Sequence, residues 1–226
     1  MDKRKAIQIL TKSAKLYKAN LEDQKIIFLY GVVSDLRKEV EEENPVLTSI
    51  KSYEVAFHRY NFMHLTGVKV NQSTIQSAIH FYEKCLNNRL KEDDFTFATD
   101  GSTVQKLEVL ENMMQLKKNV TMIGNFTDRG PKLYSSKVAG NICACIGFIK
   151  DRNTKLNVPN TLLQKDIRDI TTSPTEKVYA IISKHYTDEK YHKIDKLDKL
   201  IELSKFRFID DIEAVIDREK LKLVGE

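Results

Sequence analysis

The hydrophobic pattern of the chain is helical at its start and strand-like soon afterwards. Over residues 3–19, aliphatic side chains recur at intervals of three and four among lysines, which predicts an amphipathic helix. Residues 24–31 contain the apolar run IIFLY, which is rich in isoleucine and aromatic residues and ends at Gly31, and they predict a buried strand. Residues 33–43 fit either a short helix or a charged loop, and both would stop at Asn44-Pro45.

The middle of the chain alternates first and then returns to helical spacing. Over residues 48–64, apolar and polar residues alternate, which predicts one or two strands with a bend. Ser73 is a suitable N-cap for a strong helix that runs to residue 90, and Ser102 or Thr103 is suitable for a second helix. The run FTFATDG between the two helices predicts a strand or a turn.

After residue 118, five apolar segments predict the strands of an antiparallel sheet. The turn sequences Asp-Arg-Gly-Pro, Asp-Arg-Asn and Ser-Pro separate them. Helices in the first half and a sheet in the second predict the α+β class. The five segments are VTMIGNF, KLYSSKVAGN, ICACIGFIK, LNVPNTLL and KVYAIISKHY.

The last part of the chain, residues 193–226, is charged and carries apolar residues at helical intervals. This pattern predicts a C-terminal extension of one or two amphipathic helices. We therefore expect a compact domain over residues 1–194 and a helical extension over residues 195–226. Such an apolar stripe more often docks within its own molecule than binds a partner.

Composition and charge indicate the class of protein but do not identify a binding partner. Hydrophobic residues make up 41% and charged residues 31% of the 226 residues, which is a globular balance. The net charge of +5 permits contact with a polyanion but does not demand it, because basic and acidic residues are interleaved. The charged N-terminus lacks a signal-peptide pattern, and no apolar stretch approaches the roughly 18 residues of a membrane span. We expect a cytoplasmic protein without membrane contact.

The spacing of cysteine and histidine residues gives no metal-site signature. Three cysteines are an odd set typical of reduced thiols, and Cys143-Ala-Cys145 lies in an apolar segment, where we expect buried thiols. The five histidines include no pair at the spacing of a zinc-binding helix. Neither a P-loop nor a GxGxxG fingerprint occurs, so we expect no metal and no nucleotide cofactor.

The segment His64-Leu65-Thr66-Gly67 is the most suggestive piece of local chemistry. It places an imidazole, which titrates near neutral pH and can accept or donate a proton, beside a hydroxyl group and a flexible backbone position. The alternative is a core histidine that bonds to backbone at the end of a strand, and spacing alone favours that alternative. His64 is a catalytic candidate only if its ring reaches a cleft.

Polar side chains also recur around the predicted sheet. A sheet face with cations, amides, hydroxyls and imidazoles suits a phosphodiester, because such groups neutralise the charge that develops at phosphorus. For each residue alone, a solvated face or a turn cap is the more ordinary explanation, and only clustering in space would reverse it. The candidates are Lys137, Asn141, Asn160, Thr161, Asp166, Arg168, Lys184 and His185.

Five segments, taken together and in order, resemble a known nuclease family. They are NFMHLTG (61–67), FYEKC (81–85), KLEVL (106–110), KVAGN (137–141) and PNTLL followed by DIR (159–168). Over about residues 5–194 they resemble the phage-associated branch of the barnase–EndoU–colicin E5/D–RelE-like nucleases, the fourth family of that series. The resemblance implies N-terminal helices packed on an antiparallel sheet. It also implies cleavage of RNA without metal or other cofactor, by attack of the ribose 2′-hydroxyl on the adjacent phosphorus to leave a 2′,3′-cyclic phosphate.

The resemblance also implies roles for the candidate residues. His64 is expected as a general base or acid, with Thr66 orienting the phosphate, and Lys184 or His185 as the second proton carrier. Lys106 and Lys137 are expected as phosphate cations. The implied catalytic set is His64, Thr66, Lys137, Thr161, Lys184 and His185, and the implied substrate-binding set is Lys106, Asn141, Asn160 and Arg168.

The expected biological role is that of an intracellular toxin or a phage-encoded factor. RNA would be its substrate, and an antitoxin or other protein would bind through the C-terminal helix. Two other functions stay open on the sequence. One is a non-catalytic protein-binding module that inhibits a host or phage protein. The other is a group-transfer enzyme in which a histidine and a threonine grip a nucleotide ribose.

Overall fold

The structure is a computed structural model that describes residues 1–42, 45–127, 135–172 and 174–223. The predicted Asp-Arg-Gly-Pro turn (128–131), the serine of the predicted Ser-Pro turn (173) and the predicted stop at residue 44 lie outside the described residues. The helices within the described ranges are α1 (Lys3–Asn20), α2 (Val33–Glu39), α3 (Asn61–Thr66), α4 (Ala78–Leu86), α5 (Ser102–Met113), α6 (Leu116–Asn119) and α7 (Asp210–Val215).

The strands of the described ranges confirm the prediction of a mixed α and β chain. Two short 3₁₀ turns, Glu92–Asp94 and Ile167–Ile170, join the regular elements. The strands are β1 (Gln24–Gly31), β2 (Val46–Leu47), β3 (Lys51–Phe57), β4 (Lys69–Val70), β5 (Phe95–Thr96), β6 (Met122–Asn125), β7 (Lys137–Gly140), β8 (Cys145–Lys150), β9 (Asn157–Leu163), β10 (Glu176–His185), β11 (Lys193–Leu197), β12 (Arg207–Phe208) and β13 (Lys222–Leu223).

Local caps explain where the N-terminal helices begin. The Asp2 carboxylate accepts a hydrogen bond from the Lys5 backbone N–H at 2.7 Å, so α1 begins where its pattern predicts. Helix α4 begins later than predicted, because the Ser77 side chain and not Ser73 caps it. Helix α5 begins at Ser102 after Gly101, which is left-handed with φ of 77°.

Residues 61–64 were predicted as the end of a strand, and that prediction was wrong, because residues 61–66 form helix α3. The Asn61 side-chain oxygen accepts a hydrogen bond from the His58 backbone N–H at 2.8 Å, which turns the chain into the helix. Gly67 ends α3 with φ of 68°, a conformation that glycine adopts without steric cost. The turn at His58 and the left-handed Gly67 therefore override the alternating pattern.

Nine strands of the described part of the chain form a curled and mostly antiparallel sheet at its centre. Its order is β13-β11-β10-β6-β7-β8-β9, and β1 lies along the other edge of β10 and pairs with β3. The long strand β10 pairs with β6 at its beginning and with β11 near its end, so two strands share one of its edges. The Asn157 side chain of β9 donates to the backbone oxygen of Glu54 in β3 at 2.8 Å, which brings the two ends of the curl together.

Side chains of β1 alternate between two cores, which explains its continuous apolar sequence. Ile26 and Phe28 lie in the main core beneath helices α1, α3, α4 and α5, whereas Ile27 and Leu29 lie in a second core on the opposite face. A strand buried on both faces needs apolar residues at every position rather than at every second one.

The C-terminal segment differs from the predicted helical extension. Within the described residues it contributes β11, β12, β13 and the six-residue helix α7. Its apolar residues complete the second core, so the prediction that the stripe docks within the molecule is confirmed. The spacing indicated helices, but β10 leaves part of an edge open, and pairing β11 there satisfies its backbone groups. The buried residues that this segment contributes to the second core are Ile201, Phe206, Phe208, Ile212 and Ile216.

Two buried ion pairs link the helices to other elements. Lys117 of α6 lies 3.3 Å from Asp195 of β11, and their side chains are 13% and 9% exposed. Lys84 of α4 lies 2.8 Å from Asp94, whose side chain is 3% exposed. Burial lowers the pKa of Lys117, and the Asp195 carboxylate opposes that shift. For Asp94, burial raises the pKa, but hydrogen bonds from Lys84 and from the Lys91 backbone bring it below its usual range.

The two neighbouring cysteines have different environments. Cys145 is buried in β8, where burial raises its pKa to about 12, as expected for a core thiol. Cys143 is exposed, and the expectation that it is buried was wrong. Its backbone N–H donates to the Asn141 side chain at 2.8 Å in the turn between β7 and β8, so it precedes the strand and does not share its face.

None of the described helices is long and apolar enough to cross a membrane.

Candidate active site

Helix α3 presents His64 on the protein surface. The helix turns Phe62 and Leu65 into the main core, where both are fully buried, and this leaves the His64 side chain exposed. The alternative of a core histidine does not hold in this structure. The Asn61–His58 hydrogen bond and the left-handed Gly67 fix the two ends of α3, and the imidazole lies within the electrostatic influence of Lys106 on the neighbouring helix.

Lys106 of helix α5 reaches from that neighbouring helix toward His64. Its aliphatic stem crosses Gly67 so closely that a Cβ atom at position 67 would lie 2.7 Å from the Lys106 Cδ. Its ammonium donates a hydrogen bond to the Thr161 hydroxyl of β9 at 3.1 Å. Thr103 donates to the Gly67 backbone oxygen at 2.6 Å, which ties the end of α3 to the start of α5.

The electrostatics of this group favour a neutral imidazole. Desolvation by the surrounding protein and then the positive charge of Lys106 lower the pKa of His64. Burial lowers the pKa of Lys106, and the Asp100 carboxylate opposes that shift. An imidazole that stays neutral near pH 7 is suited to accept a proton, and an ammonium with a lowered pKa is suited to donate one. We call His64, Lys106 and Thr161 the His64 group.

Lys137 belongs to a different cluster, on the inner side of the curled sheet. Its ammonium donates to the Asn125 side-chain oxygen at 2.7 Å and lies over the rings of Tyr30 and Tyr53, at 5.5 and 5.7 Å from their centroids. Burial lowers the pKa of Lys137, with the Glu176 carboxylate opposing. These partners could not be predicted from the sequence, since Tyr30 and Tyr53 lie in predicted strands far from position 137.

Lys184 and His185 lie at the end of β10, apart from both clusters. Lys184 is 7% exposed, donates to the Glu189 backbone oxygen at 2.6 Å and lies over the ring of Tyr191, which belongs to the second core. His185 is exposed, with Nδ1 at 2.8 Å from the Thr187 hydroxyl. Lys184 therefore faces the second core, whereas Lys137 lies with residues of the main core.

Three further candidates hold local structure together. The buried Thr66 hydroxyl donates to the Met63 backbone oxygen at 2.7 Å within α3. The Asn141 side chain accepts from two backbone N–H groups of the β7–β8 turn, at 2.8 and 3.1 Å. The Arg168 guanidinium pairs with the Asp166 carboxylate, at 2.5 to 3.1 Å. The Asn141 amide nitrogen also donates to the Asn119 backbone oxygen at 3.1 Å, so all three side chains are engaged in local contacts.

Asn160 is the extra residue of a bulge in β9. Thr161 pairs with Gly147 and Pro159 pairs with Phe148, so Asn160 has no opposite residue in β8. The bulge lies immediately before Thr161 and therefore next to the His64 group. Bulges of this kind re-aim neighbouring side chains, which makes Asn160 the one sheet amide among the candidates that adjoins this group.

The His64 group has the components of acid–base chemistry at a phosphodiester. It combines a surface imidazole with an ammonium whose charge lowers the imidazole pKa and a hydroxyl that accepts a hydrogen bond from that ammonium, drawn from α3, α5 and β9. Within the described residues, no three histidine, cysteine, aspartate or glutamate side chains lie together as metal ligands would. The sequence supported Lys106 only through the family resemblance. Gly67 was the one nearby residue that could have indicated the close packing of the Lys106 stem.

Comparison with known proteins assigns the chain to a family. Residues 9–200 match the family described as phage-Barnase-EndoU-ColicinE5/D-RelE like nuclease4. No curated protein and no solved structure matches. The match covers most of the chain, including every residue of the His64 group, and the curled antiparallel sheet with packed helices is consistent with a nuclease fold. A nuclease family implies nucleic acid as the substrate. The chain therefore belongs to the phage-associated barnase–EndoU–colicin E5/D–RelE-like nucleases, in the fourth family of that series.

Proposed function

We propose that this protein is an endoribonuclease that cleaves RNA without a metal ion, with the His64 group as its catalytic centre. The observation that carries the proposal is the surface imidazole of His64 beside Lys106, whose ammonium is held by the Thr161 hydroxyl at 3.1 Å. Family membership supplies the substrate class, nucleic acid, and the site geometry supplies the proton carriers.

In the proposed reaction, His64 acts as the general base. Its lowered pKa keeps the ring neutral near pH 7, so it accepts the proton of the ribose 2′-hydroxyl. The 2′ oxygen forms a bond to phosphorus, the bond between phosphorus and the 5′ oxygen breaks, and the products are a 2′,3′-cyclic phosphate and a 5′-hydroxyl. Lys106 gives the leaving 5′ oxygen its proton, and solvent restores both groups.

Two neighbouring residues support this chemistry. The Thr161 hydroxyl accepts from the Lys106 ammonium and so fixes the proton donor between β9 and α3. The Asn160 amide adjoins Thr161 at the bulge and is proposed to bind a phosphoryl oxygen. Lys137 is proposed as a cation for a more distant phosphate of the RNA strand, since its own cluster does not contain His64. Thr66, Asn141, Arg168, Lys184 and His185 are not part of the proposed centre.

The test is cleavage of RNA in the presence of a strong chelator. The wild-type protein should yield fragments with 2′,3′-cyclic phosphate ends, and a 2′-deoxy residue at the cleaved position should block the reaction. His64→Gln should lower the cleavage rate by roughly 10²–10⁴-fold, the usual contribution of a general acid or base. His185→Gln is the matched control, because it removes an exposed imidazole outside the His64 group and should leave the rate unchanged. Loss of cleavage on adding chelator, or full activity in His64→Gln, would refute the proposal.

We further propose that the protein acts in the cytoplasm as a toxin or phage-encoded factor, on the strength of the phage association of its family. Expression in bacteria should arrest growth, and His64→Gln should relieve the arrest. An antitoxin partner is proposed only for the exposed surface around the His64 group. The apolar stripe of the C-terminal segment is buried in the second core and is not free to bind one.

A further inference from the structure

Three rings form an aromatic patch where β3, α3 and β10 meet. The His58 ring stacks on the Tyr60 ring, with centroids 5.2 Å apart and planes 19° apart. The Tyr186 ring meets His58 edge-on at 5.2 Å, and the Lys25 ammonium lies 5.0 Å from the Tyr186 centroid. Tyr186 is 38% exposed. We call Tyr60, His58 and Tyr186 the aromatic platform.

The backbone makes the platform rigid. The Tyr186 backbone N–H donates to the Asp23 oxygen at 2.8 Å, which fastens the end of β10 to the turn before β1. The His58 backbone N–H is bonded to Asn61, and its oxygen accepts from the Tyr17 hydroxyl at 2.7 Å. Rings held in this way lose little further freedom when a ligand stacks on them.

The platform adjoins the His64 group. Tyr60 precedes α3 with helical backbone angles, φ of −72° and ψ of −19°, so it continues the helix by one residue. Tyr60 and His64 are then four residues apart on one helix face, where Cβ atoms lie about 5–6 Å from one another. A ligand stacked on Tyr60 would therefore have its neighbouring atoms at the His64 imidazole.

The charges around the platform favour a nucleobase over a phosphate. Desolvation lowers the pKa of His58, while the carboxylates of Asp23 and Asp151 lie close enough to oppose the shift. Those carboxylates repel a phosphate but accept hydrogen bonds from the amino groups of a base. Lys25 offers one cation at the rim, although Glu54 lies 3.5 Å from it. Every base has a face that stacks on an aromatic ring.

We propose that the aromatic platform stacks the nucleobase next to the phosphate that the His64 group cleaves. The identity of the ligand as RNA rests on the proposed function. The placement of the base rests on the three rings and on the helical relation of Tyr60 to His64.

The experiment measures binding without cleavage. A short RNA with methylated 2′-hydroxyls and a fluorescent label is titrated with the His64→Gln protein, and the dissociation constant is read from anisotropy. Tyr186→Leu should weaken binding by at least about fivefold, ~1 kcal/mol, because leucine keeps apolar area but removes the ring. Tyr186→Phe should bind like the parent protein. Tyr60→Leu should also weaken RNA binding, which tests a second ring of the platform independently.

A probe with an abasic site identifies what the rings hold. When the base at the stacked position is missing, the parent and Tyr186→Leu proteins should bind equally. Equal binding of the intact RNA by the parent, Tyr186→Leu and Tyr60→Leu proteins, or no binding by the parent, would overturn the platform. These outcomes differ from failure of the proposed catalysis, since a protein that binds through the platform but shows no His64-dependent cleavage would lose only the latter.

Discussion

Replacing Gly67 by alanine tests whether its backbone positions Lys106. Gly67 has φ of 68°, and for a residue with a Cβ this left-handed conformation costs about 1–2 kcal/mol. The new Cβ would also lie 2.7 Å from the Lys106 Cδ, so the lysine stem must leave its rotamer at a cost of about 0.5–1.5 kcal/mol. We expect a total destabilisation of roughly 1.5–3.5 kcal/mol. For a chain of this size that lowers the melting temperature by roughly 3–14 °C.

Gly101 supplies the matched control. Its φ is 77°, but an added Cβ would meet none of the described atoms within 4 Å. Gly101→Ala should therefore show only the conformational cost of about 1–2 kcal/mol and keep full RNA cleavage. Gly67→Ala should lose additional stability and should also cleave more slowly at a temperature where it is fully folded, because the displaced Lys106 leaves Thr161.

The assay is a pair of thermal denaturation curves with cleavage rates measured well below both transitions. In a Lys106→Ala background the steric part disappears, so Gly67→Ala should cost only about as much as Gly101→Ala. Gly67→Ala protein that is as stable and as active as the Gly101→Ala control would refute the argument that Gly67 positions Lys106.

Three further predictions follow from the charged groups. Lys106→Met should slow cleavage, because the proposed proton donor is lost, and should raise the pKa of His64, as followed by NMR of the imidazole, because a positive neighbour is lost. The acid limb of the residual cleavage profile should therefore move to higher pH. An unchanged acid limb would show that Lys106 does not influence the titration of His64 and would contradict this prediction. Lys117→Met should cost about 3–5 kcal/mol in denaturant unfolding, since it leaves the Asp195 carboxylate buried and unpaired, whereas the double change with Asp195→Leu should recover most of that loss. The pKa of Asp94 is lowered in the folded protein, so its contribution to stability is complete above its ordinary pKa of about 3.9 and is lost as pH falls through the folded value. Asp94→Asn should be less stable than wild type at neutral pH and should approach it in acid, and parallel curves for the two proteins would contradict this linkage.

Local sequence patterns predicted correctly those helices and strands whose structure depends on their own residues. The helix over α1 and the strand over β1 follow from spacing and apolar content, and the five strands of the second half have the predicted positions where they are described. The prediction was wrong at residues 61–64, where a hydrogen bond from the His58 backbone to the Asn61 side chain and a left-handed glycine outweigh an alternating pattern. Short segments are the least secure predictions, because few residues contribute to their pattern.

The C-terminal segment shows the limit of periodicity more plainly. Its apolar residues are spaced for a helix, and the same residues complete the second core in strands, turns and one short helix. What decides between the two is the open edge of β10, which offers hydrogen bonds that the segment cannot find within itself. That edge is a property of the assembled sheet.

The α+β class, most element types, the family and His64 as the main catalytic candidate could be predicted from the residues alone. The exposure of His64, the hydrogen bond between Lys106 and Thr161, 55 residues apart in the chain, and the position of Lys184 at another core became visible only in the folded protein. The difference comes from the range of the interactions. Spacing and caps act over a few residues, whereas a proton-transfer site depends on side chains that only the packing of separate elements brings within a hydrogen bond.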